Sequence, residues 1–291
     1  MLNDGPMAAR FAQVDVFSSD PITGNPVAVV LDGETAADSP LTTAQMAAFA
    51  NWTNLSETTF VLPPSDPAAD YRLRIFTPHS ELPFAGHPTL GSAHAWLAAG
   101  GRAKGEYLVQ ECGAGLVPIR QDGPRLAFAA PPLTRSGAVE EATVAEVCAA
   151  LGVDRGHVLD AAWVINGPRW MALRLDSAQR VLDVRPDFGA LGDHEVGLVG
   201  AHDDVSRPEP DVVFELRAFA PGDGVNEDPV TGSLNAGVAM WLRQSGLAPA
   251  RYVAAQGTAL GRAGRIHVED DGERIWVGGE ATTIIEGTVA L

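Results

Sequence analysis

The sequence predicts an α+β chain made of two related halves, each a set of short strands wrapped around one buried helix. Three observations predict it: an internal repeat, short apolar runs separated by turn signals, and two helical segments without a polar face. In the repeat, Arg74-Ile75-Phe76-Thr77-Pro78 returns 143 residues later as Arg217-Ala218-Phe219-Ala220-Pro221. His87-Pro88-Thr89-Leu90-Gly91-Ser92 returns 141 residues later as Asp228-Pro229-Val230-Thr231-Gly232-Ser233. Gly24-Asn25-Pro26 has a looser counterpart in Asn166-Gly167-Pro168, and Gln121-Asp122-Gly123 matches Asp270-Asp271-Gly272, 149 residues on. Four matches in one order, at nearly one offset, exceed what similar turns produce.

Apolar runs predict strands over 12–17, 27–30, 58–62, 71–76 and 108–110 in the first half. In the second half the corresponding runs are 161–165, 170–175, 212–219, 264–268 and 274–277. Asp122-Gly123 and Asp271-Gly272 read as hairpin turns. One long helix per half is predicted to begin near Pro88 and Pro229, where proline suits a first turn, and to stop at Gly100-Gly101 and Gly246. Both are small or apolar nearly all round, so each belongs inside its half's strands. Surface helices are predicted over 43–51 and 143–151. The best boundary is Ala129-Ala130-Pro131-Pro132, giving a first half of 1–130 and a second of 131–283. The last strand, about 284–291, can return to the first half.

Composition narrows the function. The 291 residues contain 37 acidic and 20 basic side chains, a formal charge of −17, with no basic cluster. A nucleic-acid or anionic-membrane partner is therefore not expected. No apolar stretch reaches the ~18 residues of a membrane span. Two cysteines, Cys112 and Cys148, give neither a disulfide framework nor a zinc site. With no signal-peptide pattern, the expected location is the cytoplasm. His79, His87 and His94 lie 8 and 7 apart without a His-x-x-x-His pair, so no metal site is expected. Gly232–Gly237 is not a Gly-x-Ser-x-Gly elbow, and no phosphate or dinucleotide fingerprint is present.

If the halves pack about a pseudo-two-fold axis, the two central helices can aim their amino ends into one cleft. Free N–H groups and the helix dipole there suit a small carboxylate. Glycines at 86, 91 and 232 would let it approach the backbone. The repeat places His87 and Asp228 at equivalent positions. Asp228 could be a helix cap and His87 a turn residue, but an imidazole and a carboxylate at one cleft also form a proton-handling couple. Glu57 opens an apolar strand between Ser56 and Thr58. On a solvated end it needs no role; carried into the cleft, desolvation would suit it to acid–base work.

Gly24-Asn25-Pro26-Val27-Ala28-Val29, Asn54-Leu55-Ser56-Glu57-Thr58-Thr59-Phe60 and the run from Arg74 through Glu81-Leu82-Pro83-Phe84-Ala85-Gly86-His87-Pro88 to Gly91 resemble the phenazine-biosynthesis PhzF-like family. Glu227-Asp228-Pro229-Val230-Thr231-Gly232-Ser233 and the closing Gly278-Gly279 to Gly287-Thr288-Val289 fit as well, so the resemblance spans essentially the whole chain. It implies a diaminopimelate-epimerase-like fold: two pseudo-symmetric halves, each a bent, mostly antiparallel sheet or barrel around a central helix, in a homodimer. It implies an isomerase without cofactor that shifts a proton on a dihydroanthranilate-like carboxylate. Glu57, His87 and Asp228 would be catalytic, and Asn25, Gly86, Gly91, Ser92, Gly232 and Ser233 would bind substrate. One departure is Ser233-Leu234-Asn235-Ala236, where the phenazine enzymes carry smaller residues; the particular substrate does not carry over. Two alternatives stand beside this reading: a racemase or epimerase of the same fold, which would need paired cysteines, and a non-catalytic small-ligand-binding protein.

Overall fold

The computed structural model describes residues 8–31, 41–205 and 207–291. The first half runs β1 (Ala8–Val16), β2 (Asn25–Val30), α1 (Thr43–Thr53), β3 (Glu57–Leu62), β4 (Tyr71–Phe76), β5 (Glu81–Leu82), α2 (Gly86–Ala98), β6 (Leu108–Cys112), β7 (Gly115–Asp122) and β8 (Arg125–Ala129). The second runs β9 (Arg135–Ala138), α3 (Glu141–Leu151), β10 (Val158–Ile165), β11 (Met171–Leu175), α4 (Ala178–Asp183), α5 (Phe188–Leu191), β12 (Val196–Ala201), β13 (Val212–Ala220), β14 (Val225–Asp228), α6 (Gly232–Gln244), β15 (Arg251–Gln256), β16 (Gly264–Asp270) and β17 (Ile275–Ala290).

The pairing repeats with the sequence. β1 is antiparallel to β2, β2 parallel to β3, β3 antiparallel to β4, and β4 parallel to β6. In the same order, β10 is antiparallel to β11, β11 parallel to β12, β12 antiparallel to β13, and β13 parallel to β15. The first set continues through β7 and β8 to β17, and β17 returns to β1, closing an eight-stranded barrel. The second set, from β9 through β16 to β17, stays open among the described residues. β17 therefore serves both halves: Trp276–Glu280 pairs with β8, Ile275–Gly278 with β16, and Ala281–Ala290 with β1.

Each central helix is enclosed. In α2, residues 86–93 are buried, and in α6 residues 232–239 are. Two amphipathic segments could not fill these places, because strands surround the helices on nearly every side. One apolar cluster runs through both halves, from Val14, Leu90 and Phe128 to Leu234, Val238 and Ile266. α1 lies outside the barrel on a smaller cluster of Met46, Phe60 and Phe76, and α3 covers the outer side of the second sheet with Val144, Val147 and Leu151. The predicted surface helices and central helices are present, with shifted ends: α2 starts at Gly86, two residues before Pro88, and α6 at Gly232, three after Pro229. No helix among the described residues is long and apolar enough to cross a membrane.

Candidate active site

Asn54 ends α1 in the left-handed region (φ 54°), so the chain reverses and enters β3 at Glu57. Parallel pairing sets Glu57 opposite Val27 of β2. The turn before β2 is fixed by Asp15, whose Oδ2 accepts from the N–H groups of Thr23 (3.0 Å) and Gly24 (2.9 Å). A Cβ on Gly24 would lie 2.2 Å from the Val16 carbonyl oxygen, so only glycine fits, and Asn25 is thereby held against the helix start. His87 is the second residue of α2 and is 2% exposed. Asp228 closes β14, immediately before the turn into α6.

The two helix starts meet glycine to glycine. A Cβ built on Gly86 would be 2.6 Å from Gly232 Cα, and one on Gly232 would be 2.7 Å from Gly86 Cα. Around this contact lies a cavity of about 40 Å³ lined by Glu57, His87, Asp228, Gly86, Gly232 and Ser233, with Trp170, Leu82 and Ala220 as apolar wall. The structure thus brings the three expected catalytic side chains to one gap between the halves. Glu57 Oε2 stands 3.2 Å from His87 Nε2. Ser233 Oγ accepts from Trp170 Nε1 (3.1 Å), and its carbonyl accepts from Asn166 Nδ2 (3.1 Å).

Three residues expected to touch substrate lie behind this surface instead. Asn25 is fully buried and donates from Nδ2 to Asp228 Oδ1 (2.8 Å) and to the Val230 carbonyl (2.9 Å), with His87 Nδ1 3.2 Å from the same nitrogen. It ties the halves together and orients the two titratable groups. Gly91 is on the barrel side of α2, where a Cβ would meet Val27 at 2.4 Å. Ser92 is buried and shares a 2.8 Å hydrogen bond with Thr59. One helical turn past its first residues, α2 has already entered the barrel, so motif membership and cavity lining part company there.

Burial sets the charges. It pushes the His87 imidazole down to about 3, against a smaller opposing pull from the Pro26 carbonyl, so the ring is neutral at pH 7. Burial also raises the Asp228 carboxyl, to about 6, outweighing the donors from Thr231, Asn25 and Ser56; the Glu227 charge adds to the rise. A neutral imidazole beside Glu57, with a carboxylate of intermediate proton affinity lining the same cavity, gives the site groups able to exchange protons.

Sequence reasoning missed Ser56, Thr231, Trp170 and Gln256. Ser56 Oγ donates to Asp228 Oδ1 at 3.4 Å, and Thr231 Oγ1 to Oδ2 at 2.5 Å. Thr231 occupies the helix-cap position but makes no cap bond with its side chain, and Asp228 ends a strand rather than capping. Ser56 and Thr231 lie within motifs already singled out; Gln256, on a strand of small residues, gave no signal. The departure at Leu234-Asn235 does not reach the cavity: Leu234 packs on Gly197, and Asn235 Nδ2 donates to the Thr231 carbonyl (2.9 Å). Cys112 ends β6 and Cys148 is buried in α3, and neither lines the gap. His94 is a packing residue whose Nε2 lies 3.1 Å from Thr283 Oγ1.

This architecture has relatives. The model of the family described as phenazine biosynthesis-like protein matches residues 14–287. A Schizosaccharomyces pombe protein named antisense-enhancing sequence 1 is 37% identical over 297 residues, covering 95% of this chain and 97% of its own. Trans-2,3-dihydro-3-hydroxyanthranilate isomerase of Pseudomonas aeruginosa is 35% identical over 292 residues, covering 97% and 99%. Among solved structures, a phenazine biosynthesis protein of the PhzF family from Enterococcus faecalis superposes with a TM-score of 0.77 at 27% identity, covering 98% of this chain and all of its own. The match of the family model over residues 14–287 and the full-length identity above 30% to a curated isomerase show that the chain belongs to the phenazine-biosynthesis-like family.

Proposed function

We propose that the protein is a cofactor-independent isomerase that shifts a proton on a small, carboxylate-bearing, dihydroanthranilate-like molecule by general acid–base catalysis. One observation carries this reading: Glu57 Oε2 lies 3.2 Å from a neutral, buried imidazole, opposite Asp228 in the same gap. Glu57 is the group that moves the substrate proton. His87 lies beside Glu57 and can share its proton; Asp228 polarises the substrate or takes a proton in turn. The substrate carboxylate sits at the starts of α2 and α6, where the first-turn N–H groups of a helix lack intrahelical partners and the helix dipole favours an anion.

The same reading takes Ala129–Pro132 as the junction of the units 1–130 and 131–283, with the last strand serving the first, and takes the working form as a cytoplasmic homodimer. The pairing of 281–290 with β1 supports the placement of that strand.

The test is turnover of trans-2,3-dihydro-3-hydroxyanthranilate, followed by deuterium exchange into product. Glu57→Gln keeps the shape and removes the proton carrier. Its rate should fall by about 10²–10⁴-fold. Undiminished exchange in that variant would rule the mechanism out.

A further inference from the structure

We infer that Gln256 is a positioning residue that acts through Thr231 to hold Asp228 as a hydrogen-bond acceptor, although it lies outside the cavity. This deepens the reading above by assigning the direction of the Thr231 and Asn25 donors at Asp228.

Gln256 ends β15 and is fully buried. Its amide makes four hydrogen bonds, the full capacity of the group. Oε1 accepts from the Thr231 N–H (3.0 Å) and from Asn235 Nδ2 (2.9 Å). Nε2 donates to the Asp228 carbonyl (3.1 Å) and to Thr231 Oγ1 (3.0 Å). Two of these partners are backbone groups with only one possible role. A backbone N–H can only donate and a backbone carbonyl can only accept, so the amide cannot be turned over without setting like against like.

The consequence passes to the hydroxyl. Thr231 Oγ1 already accepts from Gln256, and its single proton is directed at Asp228 Oδ2, 2.5 Å away. The other oxygen of Asp228 is constrained in the same manner. Asn25 Nδ2 donates to Oδ1 at 2.8 Å, and its orientation is fixed by the Val230 carbonyl at 2.9 Å. Both carboxylate oxygens therefore face donors whose polarity the backbone dictates. Asp228 is built to be the unprotonated partner at rest, which leaves Glu57 and His87 as the pair that carries the transferable proton.

The charged and titratable groups near Asp228 are Glu57 of β3, His87 of α2 and Glu227 of β14, the last held by Arg217 of β13 at 2.7 Å. None of them is touched by changing Gln256, so a change in Asp228 titration reports on the relay.

The experiment is a carbon-13 NMR titration of the aspartate carboxyl groups in the intact protein, with the Asp228 signal assigned by its loss in Asp228→Asn. Gln256→Met fills the space without hydrogen bonds. It should move the Asp228 midpoint up by about one unit, the weight of one donor to a charged oxygen. Gln256→Leu, which likewise supplies no donor and adds no charge, should move it the same way if the methionine variant does not fold. In a Thr231→Val background the Gln256 change should add nothing, whereas Thr231→Ser should keep the wild-type midpoint. An unchanged midpoint in the Gln256 variants, or the full shift persisting in Thr231→Val, overturns the inference. No substrate is used, so the outcome is independent of whether the protein turns over a dihydroanthranilate.

Discussion

His87 and Asp228 share one gap, yet burial gives them opposite effects on stability. The folded imidazole titrates near 3, below the ordinary 6.5, so between those values the unfolded chain binds the extra proton. The stability it contributes is complete above pH 6.5 and is lost as pH falls toward 3. The folded Asp228 carboxyl titrates near 6, above its ordinary 3.8, so between those values the folded chain binds the extra proton. Its contribution is present below pH 3.8 and disappears as pH rises through 6. Over pH 4–6 the two nearly cancel. Single variants should uncover them. The unfolding free energy of wild type minus that of His87→Gln should decline on acidification from pH 6 to 4, by up to ~1.4 kcal/mol per unit. The difference from Asp228→Asn should climb over the same range. Chemical denaturation at several pH values checks both, and two flat differences would show that neither group is perturbed.

The elements that matter most are the two central helices, because their first residues form the floor of the site. Gly86 and Gly232 touch backbone to backbone, so a methyl group on either must push the helix starts apart. Gly86→Ala and Gly232→Ala should each cost about 1–3 kcal/mol. The double variant should cost clearly less than the sum, since both relieve the same contact by the same separation. Thermal melts of the four proteins measure this; full additivity would mean that the helix starts do not bear on each other. These helices were legible in the sequence because burial on all sides leaves an unmistakable apolar composition. Their starting residues were not. The turn from Asp228 to Thr231 is held by Gln256, a side chain from a strand after the helix, which delays α6 past Pro229. Strands β12 and β15 escaped detection for a related reason: Val196–Ala201 and Arg251–Gln256 are rich in glycine or alanine and owe their conformation to partners elsewhere in the sequence. Glu57, His87 and Asp228 stood out by motif, but Asn25, Gly91 and Ser92 belong to the same motifs and pack behind the surface. Linear spacing does not say which side of a residue faces the gap.

At the scale of the molecule, the duplication was readable but its closure was not, because closure depends on a strand pairing across nearly the full length of the sequence. The sequence raised the return of the last strand only as an option. In the structure, β17 passes from the second half into the first, and its final ten residues run antiparallel to β1 from Ala281 opposite Val16 to Ala290 opposite Ala8. Val289 and Leu291 then pack with Phe11 and Phe49 on the cluster beneath α1. Without this segment the barrel has a gap between β8 and β1, and β1 loses one of its two ladders along its whole length. An open edge of that length invites pairing between molecules. The opening would also lie beside α2, whose first turn carries His87, so the loss should reach the site as well as the fold. A protein ended after Glu280 keeps every residue of the cavity, so its behaviour separates local chemistry from global closure. It should melt at least 10 °C lower than the full-length protein or aggregate on purification, with activity lost in either case. Circular dichroism and size-exclusion chromatography read the result. A truncated protein with an unaltered melt and a single monodisperse peak would show that the first half closes without its borrowed strand.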